Sequence, residues 1–405
     1  MAAAAAAAAR RLPKIDFSDV APANGGSLGW AAAREQVMQA LTSYGCFEAV
    51  YDPVTPSLRD SMSRFTSEEL FPLPIETKLK NASDKPFGGY LGQIPGLAFE
   101  SLGITDAHLA HGVPAFAVAM WPDGNPSFCE TAYSYSKKLA ELEQMVRRMV
   151  LESLGVTKYL QEQLENTWYL LRLSKYGEEK GEDEEGETKK AEYVPHRDTN
   201  TLGIICQLNG VDGLEVETGD GEWIISKPST PTSLFVVAGD SLRAWSNGRI
   251  VAPLHRVRLD GKDAIRYSAI LFSCPMEEQV VEAPPELVDD EHPSLFKPYS
   301  YGSFLQFAVS EEGAKDTDGL HKEIEAAIYK NEPLRGILTV QLKADDWEID
   351  RKVLKMGEKI GSGSCVDMNA QHDNIVPSIG ACTKSPQYCI VTGCQSDRFC
   401  RRHLP

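Results

Sequence analysis

From residue 166 onward the sequence breaks into seven short runs rich in β-branched and aromatic residues: WYLLRLSKY, TLGIICQL, GLEVET, EWIIS, SLFVVAG, LHRVRL and IRYSAILFS. Asp212-Gly213, Asp220-Gly221, Asn247-Gly248 and Asp260-Gly261 fall among them. Such dipeptides favour the positive φ angles of hairpin and other tight turns. Short strands with few intervening helices can bury their apolar faces only against each other, so the pattern predicts an antiparallel sandwich or jelly roll. Residues 177–192, GEEKGEDEEGETKKAE, interrupt it with charge and no aromatic residue; this reads as a solvated, mobile loop without chemistry.

Upstream the period changes to that of helices. LGWAAAREQVMQALTSYG at 28–45 carries apolar residues at helical spacing and ends at a Gly. SLRDSMSRFTSEEL at 57–70 and the breaker-free stretch at 131–154 read the same way, giving an N-terminal helical layer. With 41 Lys and Arg against 58 Asp and Glu, the net charge is -17. That balance argues against a general affinity for nucleic acid or an anionic membrane, so an anionic ligand needs a local cation. No window approaches 18 strongly apolar residues, and the alanines at 2–9 lack a signal peptide's bulky apolar stretch. The expectation is a cytoplasmic protein with reduced, buried thiols at Cys46, Cys129, Cys206 and Cys274.

VPHRDTN at 194–200 holds the tripeptide His196-Arg197-Asp198, which opens the catalytic loop of protein kinases. A kinase needs Asn five residues after that Asp, and position 203 is Gly; Asp-Phe-Gly is also absent downstream. The other reading is a metal site. On a strand, residues i and i+2 share a face, so His196 and Asp198 can aim an imidazole and a carboxylate at one ion. A third ligand must then come from another strand, with positions left open for substrates. His255 in LHRVRL alone among the remaining histidines has that context.

Arg266 and Ser268 follow in IRYSAILF. If LHRVRL and IRYSAILF form a hairpin about Asp260-Gly261, a loop of two or four residues puts His255, Arg266 and Ser268 on one face. A guanidinium and a hydroxyl suit one carboxylate of a dicarboxylic acid. If its other end is a 2-oxo acid that chelates the metal, the cosubstrate is 2-oxoglutarate. Arg197, between the two ligands, points to the opposite face and is left out of the site.

These residues resemble the plant Fe(II)/2-oxoglutarate-dependent dioxygenases, of the isopenicillin N synthase-like type. The likeness extends to PKIDFSDV, SYGCFEAVYD, FPLPIETK and GDSLRAWSNGRIVAPLHRV and runs from about residue 12 to 310. It implies a mainly β fold, a double-stranded β-helix (jelly-roll) core flanked by N-terminal helices. It also implies Fe(II) on His196, Asp198 and His255, and 2-oxoglutarate on Arg266 and Ser268. Tyr176, ending Ser174-Lys175-Tyr176 where the family has Asn-x-Tyr, is a further cosubstrate residue. The implied chemistry consumes O2, with ascorbate as reductant, and oxidises a small plant metabolite with release of succinate and CO2. VDGLEVETGDGEWI and HPSLFKPYSYGSFLQF resemble most the branch with glucosinolate side-chain and auxin-oxidising dioxygenases. Auxin oxidation specifically, or a non-catalytic small-molecule binding protein, are the alternatives.

The expected organisation is a disordered start at 1–11, a helical region at 12–160, a catalytic jelly roll at 161–312 and an extension at 313–405, in a monomer free of nucleic acid and membrane. The extension crowds five Cys and two His after residue 342. Its Cys spacings contain no Cys-x2-Cys pair, so zinc binding is not expected there. It should be dispensable for iron binding.

Overall fold

The computed structural model describes residues 11–20, 27–94, 97–177, 195–259 and 264–308, and the backbone of 375–382 and 389–394. The alanine-rich start, most of the acidic segment, the Asp260-Gly261 turn and nearly all of the cysteine-rich extension lie outside the described residues. Among the described residues before 309 there are twelve strands: β1 (Lys14–Asp16), β2 (Cys46–Val50), β3 (Phe99–Thr105), β4 (Thr167–Tyr176), β5 (Leu202–Gln207), β6 (Leu214–Glu217), β7 (Trp223–Ile225), β8 (Ser233–Ala238), β9 (His255–Val257), β10 (Arg266–Pro275), β11 (Val280–Val281) and β12 (Tyr299–Ser300). The helices are α1 (Leu28–Ser43), α2 (Pro56–Arg64), α3 (Ile75–Lys78), α4 (Gly112–Met120), α5 (Pro126–Ser153), α6 (Leu160–Glu165), α7 (Asp240–Trp245) and α8 (Tyr301–Ala308).

A seven-stranded sheet, in the order β1-β2-β8-β5-β10-β4-β3, faces a three-stranded sheet, β7-β6-β9. Every pair in both sheets is antiparallel except β1 with β2. Alternation along the central strands builds two cores. Leu171, Leu173, Ile204, Ala269 and Leu271 share one core with Leu142, Val146 and Met149 of α5. On the opposite face Ile205, Phe235, Val237 and Ile270 pack with Leu214, Val216 and Ile224 of the small sheet. The seven β runs after residue 166 are thus all strands of a jelly-roll sandwich, as the pattern predicts.

The predicted helices form with small changes at their ends. Ser27 caps α1 by accepting from the Trp30 N–H, and Thr55 caps α2, whose chain continues as a π-helical turn, Phe65–Leu70. α5 begins five residues earlier than the apolar period indicates, because Asn125 accepts from the Phe128 N–H and Pro126 occupies the first turn. Two expectations fail. Strands β1, β2 and β3 lie in the segment read as helical, so three of the seven strands of the main sheet come from it. The β9–β10 hairpin does not exist either: β9 pairs with β6, whereas β10 pairs with β4 and β5. β9 and β10 thus belong to different sheets, and they share no register.

Two features fix the frame under the site. α5 carries a fully buried pair, with Arg147 Nη2 2.5 Å from Glu143 Oε1. Tyr169 Oη and Ser273 Oγ also donate to Glu143, at 2.7 and 2.8 Å. Glu143→Ala strands the guanidinium, and breaking such a pair costs about 3–5 kcal/mol; urea unfolding showing a loss under about 1 kcal/mol would contradict this. Gly45, between α1 and β2, has φ +68°, and a Cβ there would sit 2.2 Å from the Val251 carbonyl oxygen. Gly45→Ala is expected to destabilise by at least about 2 kcal/mol through strain and clash, read as a lowered unfolding midpoint.

The remaining described segment is a hairpin, β13 (Ile375–Cys382) with β14 (Cys389–Cys394), within a separate compact unit, Leu338–Pro405. Among the described residues no helix is long and apolar enough to cross a membrane.

Candidate active site

His196 is a single bridge residue rather than part of a strand. Its N–H donates to the His255 carbonyl and its carbonyl accepts from the His255 N–H, both at 2.9 Å. Two residues that exchange both hydrogen bonds lie directly opposite and point to one face. The imidazole centroids are accordingly 4.4 Å apart. β9 sets the direction of that face: His255 is in register with Val216 of β6, an interior core residue, so both rings enter the space between the sheets.

Asp198 follows as the chain leaves the small sheet for β5. Its carbonyl accepts from the Asp240 N–H at 2.7 Å, and the Ser241 hydroxyl donates to the Thr199 carbonyl at 2.6 Å, so α7, a helix absent from the sequence reading, clamps this crossing. Asp198 Oδ1 lies 3.8 Å from Nε2 of each histidine. That is too far for a hydrogen bond. All three ligand atoms lie within 4.8 Å of one another, a grouping that could hold a metal ion.

The donor set fits such an ion. Asp198 Oδ2 is buried without a hydrogen-bond partner, and an orphaned buried carboxylate oxygen is costly unless something positive meets it. His255 Nδ1 lies 3.3 Å from the Pro253 carbonyl; a proton on Nδ1 leaves the Nε2 lone pair free for a metal. Beside the trio the Asp240 carboxyl is pushed up to about 6, first by burial, with Arg243 and Arg197 opposing and Asp198 reinforcing. Arg197 stays out of the cluster, and its guanidinium donates to the Ala252 carbonyl.

Register organises the interior face of the large sheet into rows. Leu170, Phe272 and Gly203 form one, next to Asp198, whose Oδ2 is 3.5 Å from where a Gly203 Cβ would sit. Arg172, Ile270 and Ile205 form the next, then Ser101, Ser174, Ser268 and Gln207, then Phe99, Tyr176 and Arg266. Arg266 and Ser268 are 2% and 0% exposed. Arg266 Nε, Ser268 Oγ, Ser174 Oγ and Gln207 Oε1 are all buried without partners. The Arg266 carbon Cζ lies 5.2 Å from the Tyr176 ring centroid. Burial lowers the guanidinium pKa, and Tyr176, Cys206 and Asp212 counter it.

Four buried polar groups lacking partners at one end of the chamber fit a carboxylate. The structure therefore brings His196, Asp198 and His255 into one cluster, and puts Arg266, Ser268 and Tyr176 on the same interior face through β4 and β10. Gln207 escaped the sequence reading. Strand alternation in TLGIICQL shows which residues share its face, but only the β5–β10 register places it beside Ser268.

Comparison with known proteins gives the family. The 2OG-Fe(II) oxygenase superfamily model matches residues 167–275, and the N-terminal model of non-haem dioxygenases in morphine synthesis matches 12–95. The probable 2-oxoglutarate-dependent dioxygenase AOP1.2 of Arabidopsis thaliana is 45% identical over 314 residues, covering 77% of this chain and 95% of the relative. Among solved structures, dioxygenase for auxin oxidation 1 of Arabidopsis thaliana, in its 2-oxoglutarate complex, is 27% identical with a TM-score of 0.59, covering 70% of this chain and 99% of that one. The rice dioxygenase for auxin oxidation is 28% identical with a TM-score of 0.59, covering 74% and 95%. With its fold, its cluster and these relatives in agreement, the chain belongs to the 2-oxoglutarate- and Fe(II)-dependent dioxygenases.

Proposed function

We propose that His196, Asp198 and His255 hold Fe(II), and that Arg266, Ser268 and Tyr176 hold the far carboxylate of 2-oxoglutarate during oxidation of a small organic metabolite. When bound, the iron supplies the activation of O2 that couples decarboxylation of 2-oxoglutarate, to succinate and CO2, with oxidation of a substrate C–H bond. The chain's own residues do the rest. The bridge between His196 and His255 pre-sets two neutral ligands, and Asp198 adds one negative charge, leaving further metal positions open for substrates. The Arg266 fork and the Ser268 hydroxyl donate to the carboxylate, with the Tyr176 ring beside the guanidinium. The apolar wall of Ile205, Ile270 and Phe272 keeps water from the reacting centre.

The observation that carries this reading is the pairing of two features on one interior: a three-ligand cluster with an orphaned carboxylate oxygen, and a buried guanidinium and hydroxyl without partners. Anaerobic addition of Fe(II) and 2-oxoglutarate is expected to give the visible charge-transfer band of the chelate. No band with both at saturation would overturn the assignment.

All six residues fall within 161–312, and residues 12–160 complete the sheet and cover its outer face. The extension beyond 312 is dispensable for iron binding in this reading. Ascorbate serves as the reductant that keeps the metal ferrous. The four free thiols at Cys46, Cys129, Cys206 and Cys274 suit a cytoplasmic location, and we read the protein as a monomer acting in plant specialised metabolism. Auxin oxidation specifically is not favoured, since identity to the auxin-oxidising structures is 27–28% against 45% to the AOP relative.

A further inference from the structure

Gly203 stands in β5, on the interior face and next to Asp198, and the fold itself does not call for a glycine there. A glycine inside a strand costs stability through chain entropy and lost packing, and it marks a bulge, a sharp bend, or the close approach of backbone or ligand. Gly103 of β3 is the backbone case: a Cβ there would sit 2.2 Å from the Gly88 carbonyl oxygen. Gly203 differs on every count. Its φ is not positive, and β5 keeps an unbroken register with β8 and β10 through it. A Cβ on Gly203 would meet Asp198 Oδ2 at 3.5 Å and two ring carbons of Phe272 at 3.7 Å, ordinary van der Waals distances. The approach of a ligand is the reason that remains.

The walls of that space describe the ligand. Phe272 lies directly opposite Gly203 on β10 and is only half-buried although it faces the interior. Its ring joins two apolar clusters, with Ile205, Ile270 and Val216 on one side and Trp168, Leu170 and Phe304 on the other. 2-Oxoglutarate extends away from this wall: along β10, Ser268 and Arg266 lie two and three same-face rows from Phe272. An apolar, aromatic-lined space at the metal end of the chamber suits the organic substrate rather than the charged cosubstrate.

Resting on the catalytic reading above, we propose that Gly203 determines specificity: by lacking a side chain it admits a flat ring of the organic substrate between the Phe272 ring and the Asp198 carboxylate. The substrate is therefore an aromatic or other planar cyclic compound. Two rings gain from offset stacking what an alkyl chain does not, and a carbon added at position 203 takes up the room that the stack needs. Ring and chain compounds with the same end group therefore report on this residue.

The test follows the anaerobic Fe(II)/2-oxoglutarate band of the full-length protein as 1-naphthalenemethanol, 1-naphthylacetate, hexan-1-ol or hexanoate is added. At least one ring compound is expected to perturb the band at a concentration at least about threefold below that of the chain with its end group. Gly203→Ala is expected to weaken that ring compound about fivefold or more, the low end of overpacking, with the chain compounds and the 2-oxoglutarate half-saturation within about twofold of wild type. Gly203→Val should abolish the ring compound's effect. Metal-free Gly203→Ala should unfold about 1–3 °C above wild type, because alanine restricts the unfolded chain and meets only ordinary contacts. A lowered midpoint would mean that the fold needs the glycine for itself, for instance to let Phe272 lean across it, and would overturn the proposal. So would chains acting as well as rings, no effect of either ring compound, ring binding unchanged in both variants, or 2-oxoglutarate affinity falling in step with ring binding. Absence of the Fe(II)/2-oxoglutarate band in the wild type would instead overturn the catalytic reading beneath it.

Discussion

Asp198→Ala is expected to reduce substrate-dependent succinate formation by more than about 100-fold, beyond the 10–100-fold typical of removing a group that merely orients a metal ligand. Asp198 supplies the only negative charge of the trio. Without it, two neutral imidazoles remain, 4.4 Å apart, and nothing offsets the charge of a divalent ion. His255→Ala should have a comparable effect. The His196–His255 bridge is made by backbone atoms, so either substitution leaves it standing, and thermal unfolding close to wild type would separate metal loss from misfolding. Succinate formation retained at most of the wild-type rate would sink the ligand assignment.

The second large effect concerns Arg266. Arg266→Ala removes a guanidinium that is 2% exposed and leaves the cosubstrate carboxylate in a buried chamber with the Ser268 hydroxyl. Truncating one partner of a buried charge pair costs about 2–5 kcal/mol. At about 1.4 kcal/mol per tenfold, the half-saturation concentration for 2-oxoglutarate should rise roughly 30-fold to several thousand-fold. The metal cluster draws no atom from β10, so Fe(II) binding should persist. Arg266→Lys is expected to recover only part of the loss, because a point charge does not reproduce a planar fork. An unchanged half-saturation concentration would remove Arg266 from the site.

How much of this was legible in the sequence depends on whether the information is local. His196 and Asp198 are two apart, so strand geometry alone gives them one face, and the family resemblance supplied the fold and six residues. The reason His255 joins them was not legible: it faces His196 through a bridge between distant segments, and the hairpin used to align it with Arg266 and Ser268 is replaced by a crossing between sheets. Which residues share the interior follows from each strand's own alternation, not from a pairing of β9 with β10, which the structure does not make. β1, β2 and β3 escaped for a related reason. CFEAV, read in isolation, is a short apolar run with no period of its own; it becomes a strand because it pairs with Ser233–Ala238, far along the chain. α7 likewise owes its role to long-range contacts, the Asp240 N–H on the Asp198 carbonyl and the Ser241 hydroxyl on the Thr199 carbonyl.

The most direct measurement is a crystal structure of the protein prepared anaerobically with Fe(II) and 2-oxoglutarate. The account predicts one metal ion bonded to Nε2 of His196 and His255 and to the Asp198 carboxylate, chelated by the oxo-acid end of 2-oxoglutarate, with the far carboxylate on Arg266 and Ser268. A metal bound elsewhere, or a cosubstrate whose far carboxylate lies away from Arg266, would contradict it.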